Sequence, residues 1–127
     1  MEREPCYNRY TVLEFRILGP LEVCDGEQAL PLGGRNQRAL LTLLLLRANE
    51  PVSTERLVDQ LWGEHPPRTA TTSLQNSVSQ LRKLLGPGFL QTRPNGYVLA
   101  LDRSQLDLTR FEDVLRAARE EEPERRA

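Results

Sequence analysis

Eight consecutive residues, Ala39-Leu40-Leu41-Thr42-Leu43-Leu44-Leu45-Leu46, constrain the fold of this chain more than any other stretch. Leucine is a strong helix former, so a helix is predicted from Arg35 to Ala48, opened by Gly33-Gly34 and stopped by Asn49-Glu50-Pro51. Leucine on nearly every side means that the helix must be covered almost all round. The run falls far short of the roughly 20 apolar residues that span a bilayer, so protein and not lipid must cover it. With 127 residues, 39% of them hydrophobic and 28% charged, the chain has material for one core of that kind plus something short.

The neighbouring segments supply the cover. Leu13, Phe15 and Ile17 alternate with Glu14, Arg16 and Leu18 in the two-residue period of a half-buried strand, which Gly19-Pro20 ends. Leu21-Glu22-Val23 resumes the alternation, Asp25-Gly26 suits a tight hairpin, and Gln28 to Leu32 can return, giving a small antiparallel sheet that needs helices behind it. Ser53 or Thr54 can cap a short second helix whose apolar positions Leu57, Val58, Leu61 and Trp62 share one side. Gly63 ends it, and His65-Pro66-Pro67 forbids helix until about Thr69. A third helix then runs to Leu85 on the stripe Leu74, Val78, Leu81 and Leu85. After Gly86-Pro87-Gly88, Phe89 to Thr92 and Gly96 to Leu99 form a hairpin around Arg93-Pro94-Asn95-Gly96. The fold class is therefore α+β: an N-terminal antiparallel sheet, a three-helix core and a C-terminal hairpin. Residues 1–11 are expected to be a flexible leader, 12–101 the domain, and 102–127 the beginning of a further helical segment, with Phe111, Val114, Leu115 and Ala118 along one stripe.

The net charge of −1 conceals an uneven distribution. From His65 to Leu101 there are four basic residues, Arg68, Arg82, Lys83 and Arg93, and no acid, whereas eight acids follow from Asp102. The polar side of the third helix carries Thr72, Ser73, Gln75, Asn76, Ser79, Gln80, Arg82 and Lys83. Amides present paired donors and acceptors to adenine edges, hydroxyls bond base or phosphate, and Arg and Lys reach guanine or phosphate. The plain alternative is a solvated helix face. A short helix, a proline-containing connection, a longer acid-free helix and a basic-tipped hairpin together make the winged form of the helix-turn-helix. No nucleophile with its base, carboxylate pair or phosphate-binding glycine loop is visible, so no enzyme is expected. Two cysteines, Cys6 and Cys24, and the single histidine His65 lack metal-ligand spacing, so neither metal nor cofactor is expected. The N-terminus has no apolar export signal, which suggests a cytoplasmic protein with no membrane partner. Trp62, on the buried stripe of the second helix, is more often core than contact, although its N–H could reach a phosphate; Tyr97 is similar, and His65 suits a solvated loop.

Four segments, Ala39 to Leu45, Val52 to Gly63, Leu74 to Gly86 and Thr92 to Tyr97, together resemble the DNA-binding domain of the Streptomyces antibiotic regulatory protein family, over about residues 13 to 119. The resemblance implies an OmpR/PhoB-like winged helix followed by a helical bacterial transcriptional activation domain, of which residues 102–127 would be the start. It implies that the third helix enters the major groove, that the wing residues Arg93, Asn95 and Tyr97 approach the minor groove, and that Arg35 and Arg38, with Trp62, face the DNA backbone. The connection holding Glu64, His65 and Arg68 would face RNA polymerase and its sigma subunit. Gln80 departs from the family, many of whose members are basic there. Expected partners are promoter direct repeats, polymerase, and further copies arranged head to tail, in an activator of antibiotic biosynthesis genes. The alternative is a winged helix that binds a protein and not DNA.

Overall fold

The computed structural model describes residues 13–126, in two compact units: Leu30–Leu101, and the described residues up to Ala29 together with those from Asp102. The expected leader and Cys6 lie outside the described residues.

In the first unit, α1 (Arg35–Leu46), α2 (Thr54–Trp62) and α3 (Ala70–Leu85) surround one core, with strands β4 (Val52–Ser53), β5 (Leu90–Arg93) and β6 (Gly96–Leu99). Leu40, Leu41, Leu44 and Leu45 of α1 are buried with Leu57, Leu74, Leu81 and Leu99, each such side chain contributing about 1.5–3 kcal/mol by leaving water. The leucine run is less completely covered than its composition suggests. Leu46 remains 56% exposed and Leu43 half-buried, because this unit packs on one side of α1 only. The helix also stops at Leu46, two residues short of Ala48: the Arg47 and Ala48 amides bond back to Leu44 and Leu45, and Asn49 turns the chain at φ 69°. The Asn49 amide donates to the Leu99 carbonyl at 2.9 Å and its Oδ1 accepts from the Leu101 amide at 2.9 Å, which fastens the end of α1 to the end of β6.

Strand β4 has no counterpart in the sequence pattern. It pairs antiparallel with β6, Val52 with Tyr97 and Ser53 with Gly96, so the wing sheet has three strands in the order β4-β6-β5. Gly96 permits it: a Cβ there would lie 2.0 Å from the Val52 carbonyl oxygen. Ser53 Oγ accepts from the Arg56 amide at 3.0 Å, capping α2 as expected, and the Thr54 amide donates to the Asn95 carbonyl at 2.8 Å.

The second unit contains β1 (Leu13–Arg16), β2 (Glu22–Asp25) and β3 (Gln28–Ala29), antiparallel in that order. The hairpin loop is Gly26-Glu27, with Gly26 at φ 70° and Asp25 paired to Gln28, and the return strand spans two residues where five were expected. Phe15 faces Val23 across the strands and bridges Leu106, and all three are fully buried. A 3₁₀ turn, Arg103–Gln105, is closed by a capping box in which Asp102 accepts from the Ser104 amide and Gln105 Oε1 from the Asp102 amide. Helix α4 (Asp107–Arg126) follows, and the Asp107 carboxylate accepts from the Ile17 and Leu18 amides at 2.9 and 3.2 Å. The Arg103 guanidinium binds Asp113 at 2.9 Å and holds its carboxyl below the usual aspartate range. These bonds join the N-terminal sheet to the chain after Asp102. Phe111 and Val114 of α4 are 51% and 67% exposed. Among the described residues, no helix is long and apolar enough to cross a membrane.

Candidate nucleic-acid interface

Helix α3 buries Ala70, Leu74, Val78, Leu81 and Leu85, so the 3.6-residue repeat turns Thr72, Gln75, Asn76, Ser79, Gln80 and Lys83 outward, and all six are exposed. Ser73 is half-buried on the edge of this face. The face carries hydroxyls, amides and one ammonium, with no carboxylate.

The two edges of the face meet different neighbours. On one, Arg82 Nε donates to the Leu90 carbonyl at 3.0 Å and its Nη2 to Thr92 Oγ1, so this side chain ties α3 to β5. The sequence suggests Arg82 as a reader of base or phosphate; in the fold it is exposed, with its Nε and Nη2 donating to the hairpin. On the other edge, Ser77 and Gln80 border an open cleft with Gly34, Arg35, Asn36 and Gln37 at the start of α1. Nothing in the sequence singles out Asn36, Gln37 or Ser77, because only the packing of α1 against α3 brings them together.

Arg93 closes β5 beside the two-residue loop Pro94-Asn95, exposed, with Nη2 donating to Gln91 Oε1 at 2.9 Å and Nη1 to the Thr92 carbonyl at 3.2 Å. Gln91 thus supports the wing-tip cation, a role that the residue's position alone does not signal. Asn95 is exposed and Tyr97 is half-buried on β6 between Thr92 and Val52 in register. Arg35 and Arg38 are exposed on the first turn of α1, and Trp62 is half-buried at the end of α2. Glu64, His65 and Arg68 are all exposed in the connection between α2 and α3. The arrangement is a long polar helix face, a cationic hairpin fixed to one edge and a cleft along the other.

Residues 27–99 match the family described as transcriptional regulatory protein, C terminal. The chain belongs to this family. Its fold is the winged helix of OmpR/PhoB-type transcriptional regulators. This regulatory-family chain is 41% identical over 102 residues to the regulatory protein AfsR of Streptomyces griseus, covering 80% of this chain and 10% of AfsR. It superposes on the structure of Mycobacterium tuberculosis EmbR in complex with a low affinity phosphopeptide with a TM-score of 0.75 and 38% identity, over 80% of this chain and 28% of that one. The DNA binding domain of CpxR from E. coli aligns with a TM-score of 0.52 and 26% identity, over 62% of this chain and 81% of that one. AfsR and EmbR are regulators of the Streptomyces antibiotic regulatory protein type, the family that the motifs resemble. The chain spans 10% of AfsR and 28% of EmbR, so it is similar to one portion of each.

Proposed function

We propose that this chain is the DNA-reading part of a sequence-specific transcriptional activator of antibiotic biosynthesis genes, working in the cytoplasm and without catalytic activity. The observation that carries this is the exposed, carboxylate-free face of α3 with Arg93 held beside it by the hairpin. In this reading α3 lies in the major groove, where Gln75, Asn76, Ser79 and Gln80 discriminate bases, while Thr72, Ser73 and Lys83 add hydroxyl and cationic contacts. Arg93, with Asn95 and Tyr97, approaches the minor groove. Arg35, Arg38 and Trp62 face the backbone. Copies stand head to tail on direct repeats, and Glu64, His65 and Arg68 face RNA polymerase at its sigma subunit. The cations at the interface are few, so a neighbouring copy and polymerase add to affinity.

Selection of duplexes from a random library, followed by gel shifts at several salt concentrations, tests the reading. Enriched sequences should contain spaced repeats, and binding should weaken steeply with salt, by a log–log slope of about 0.9 per neutralised phosphate. Asn76→Ala should relax the preference at one base pair, and Arg93→Ala should weaken all sites. Glu64→Ala with Arg68→Ala should leave the shift intact and lower transcription in a purified polymerase assay. A salt-insensitive complex with a protein and none with DNA would overturn the proposal.

A further inference from the structure

Arg93 is held in place without being neutralised. Its Nη2 donates to Gln91 Oε1 at 2.9 Å and its Nη1 to the Thr92 carbonyl at 3.2 Å, and both acceptors are uncharged. Among the described residues, Arg16, Arg103, Arg110 and Arg116 each meet a carboxylate within 3.4 Å, whereas no ion pair includes Arg93. A guanidinium carries five N–H donors in a rigid fork, so with two of them engaged here the rest, and the whole charge, remain for a ligand.

Gln91 is the group that aims it. Residues two apart on a strand share a face, so Gln91 and Arg93 stand on the same side of β5. Opposite Arg93 in register is Gly96, which brings no side chain, and opposite Gln91 is Val98, which brings no hydrogen bond. Among the described side chains, polar support for this guanidinium therefore comes from Gln91. The Gln91 amide is itself oriented: its Nε2 donates to the Gly88 carbonyl at 3.0 Å, which leaves Oε1 for Arg93. Gly88 takes φ 93°, a conformation that glycine adopts freely, in the loop that follows α3. A relay thus runs from the end of α3 through Gln91 to the wing tip. Glutamate would accept from Arg93 as well, but it has no donor for Gly88 and would cancel the charge that it held.

We infer that Gln91 is a positioning residue that aims the Arg93 guanidinium and so sets how sharply this chain prefers a narrow minor groove beside the bases read by α3. The inference rests on the DNA-reading proposal. A narrow groove, as in A·T-rich runs, concentrates negative potential and rewards an arginine fixed at its mouth more than a wide groove does. Without the relay the guanidinium spreads over several rotamers, and its charge is averaged over narrow and wide grooves alike. Gln91 therefore acts on groove shape, while the exposed amides of α3 read base edges.

The test uses the full chain and two duplexes that share one core, selected by the protein from a random library. They differ in the flank met by the wing, which is A·T-rich in one and G·C-rich in the other. The parent should favour the A·T flank. Gln91→Met, close in shape and without the amide, should weaken that duplex about threefold to tenfold, as for one lost hydrogen bond, and the G·C-flanked duplex by less than about twofold. The log–log salt slope should stay unchanged, because no charge is lost. Gln91→Thr, which suits a strand, should give the same result if Gln91→Met folds poorly. Arg93→Ala should flatten the slope by about 0.9 and abolish the flank preference, and adding Gln91→Met to it should change nothing further. Gln91→Glu should bind more weakly than Gln91→Met and with a flatter slope. In the free protein, ¹⁵N exchange spectroscopy should show the Arg93 guanidinium turning faster about its Nε–Cζ bond in Gln91→Met. Gln91→Met with the parent's affinity and flank preference, where Arg93→Ala still weakens binding, overturns the inference and leaves the DNA reading intact. An equal loss from Gln91→Met with and without Arg93 also overturns it, because Gln91 would then touch DNA itself or prop the hairpin. A chain that binds neither duplex overturns the DNA reading.

Discussion

Replacing Gly96 by alanine strikes the structure where two backbones approach most closely. The added Cβ would lie 2.0 Å from the Val52 carbonyl oxygen and 2.8 Å from Ser53 Cα, and both are main-chain atoms that cannot swing aside. Strand β4 has to leave β6, which breaks the pairing of Val52 with Tyr97 and of Ser53 with Gly96 and strains the Thr54–Asn95 hydrogen bond. At about 0.5–1.5 kcal/mol net for each hydrogen bond, with partial exposure of Val52, the loss is about 2–4 kcal/mol. For a domain of this size each kcal/mol is worth about 4–8 °C, so the melting temperature should fall by about 10–25 °C. Thermal unfolding followed by circular dichroism measures it, with Gly19→Ala as control, since a Cβ there meets nothing within 4 Å. A Gly96→Ala protein melting within about 2 °C of that control would refute the claim that this contact requires glycine.

Two further changes test how the wing and the core are fastened. Arg82→Ala removes the ties to Leu90 and Thr92, so it should weaken DNA binding through the hairpin; in a double-mutant cycle with Arg93→Ala the losses should fall short of additivity by about 0.5 kcal/mol or more, and strict additivity in quantitative gel shifts would show that the tie is irrelevant. Asn49→Gly keeps the positive φ and loses only the bond to Leu101, at about 0.5–1.5 kcal/mol, whereas Asn49→Ala adds roughly 1 kcal/mol of backbone cost; urea denaturation midpoints ranking glycine below alanine would contradict the account of this turn.

The elements visible in the sequence are those whose signal is local. The stripe Leu74, Val78, Leu81 and Leu85, the Ser53 cap and the Gly63 and Gly86 stops all act within a few residues, and the helices they bound form where expected. Strand β4 is invisible because two residues have no periodicity; its formation depends on a glycine more than 40 residues away. The exposure of Leu46 depends on which side of α1 the rest of its unit occupies, which composition does not encode. The polar face of α3 was legible residue by residue, since burying one stripe fixes the other. What each of its edges meets was not: the bond from Arg82 to Leu90 and the place of Gln37 beside Ser77 and Gln80 arise only when separate elements pack.

The bond from the Thr54 amide to the Asn95 carbonyl joins the tip of the hairpin to the beginning of α2, while Arg82 joins its outer strand to α3. A two-strand arm left to itself would sample many orientations and would lose that freedom on meeting a ligand. Here the restriction is imposed when the chain folds, so less ordering entropy remains to oppose association. Loosening either tether should therefore show first as a less favourable binding entropy, before any direct contact is lost.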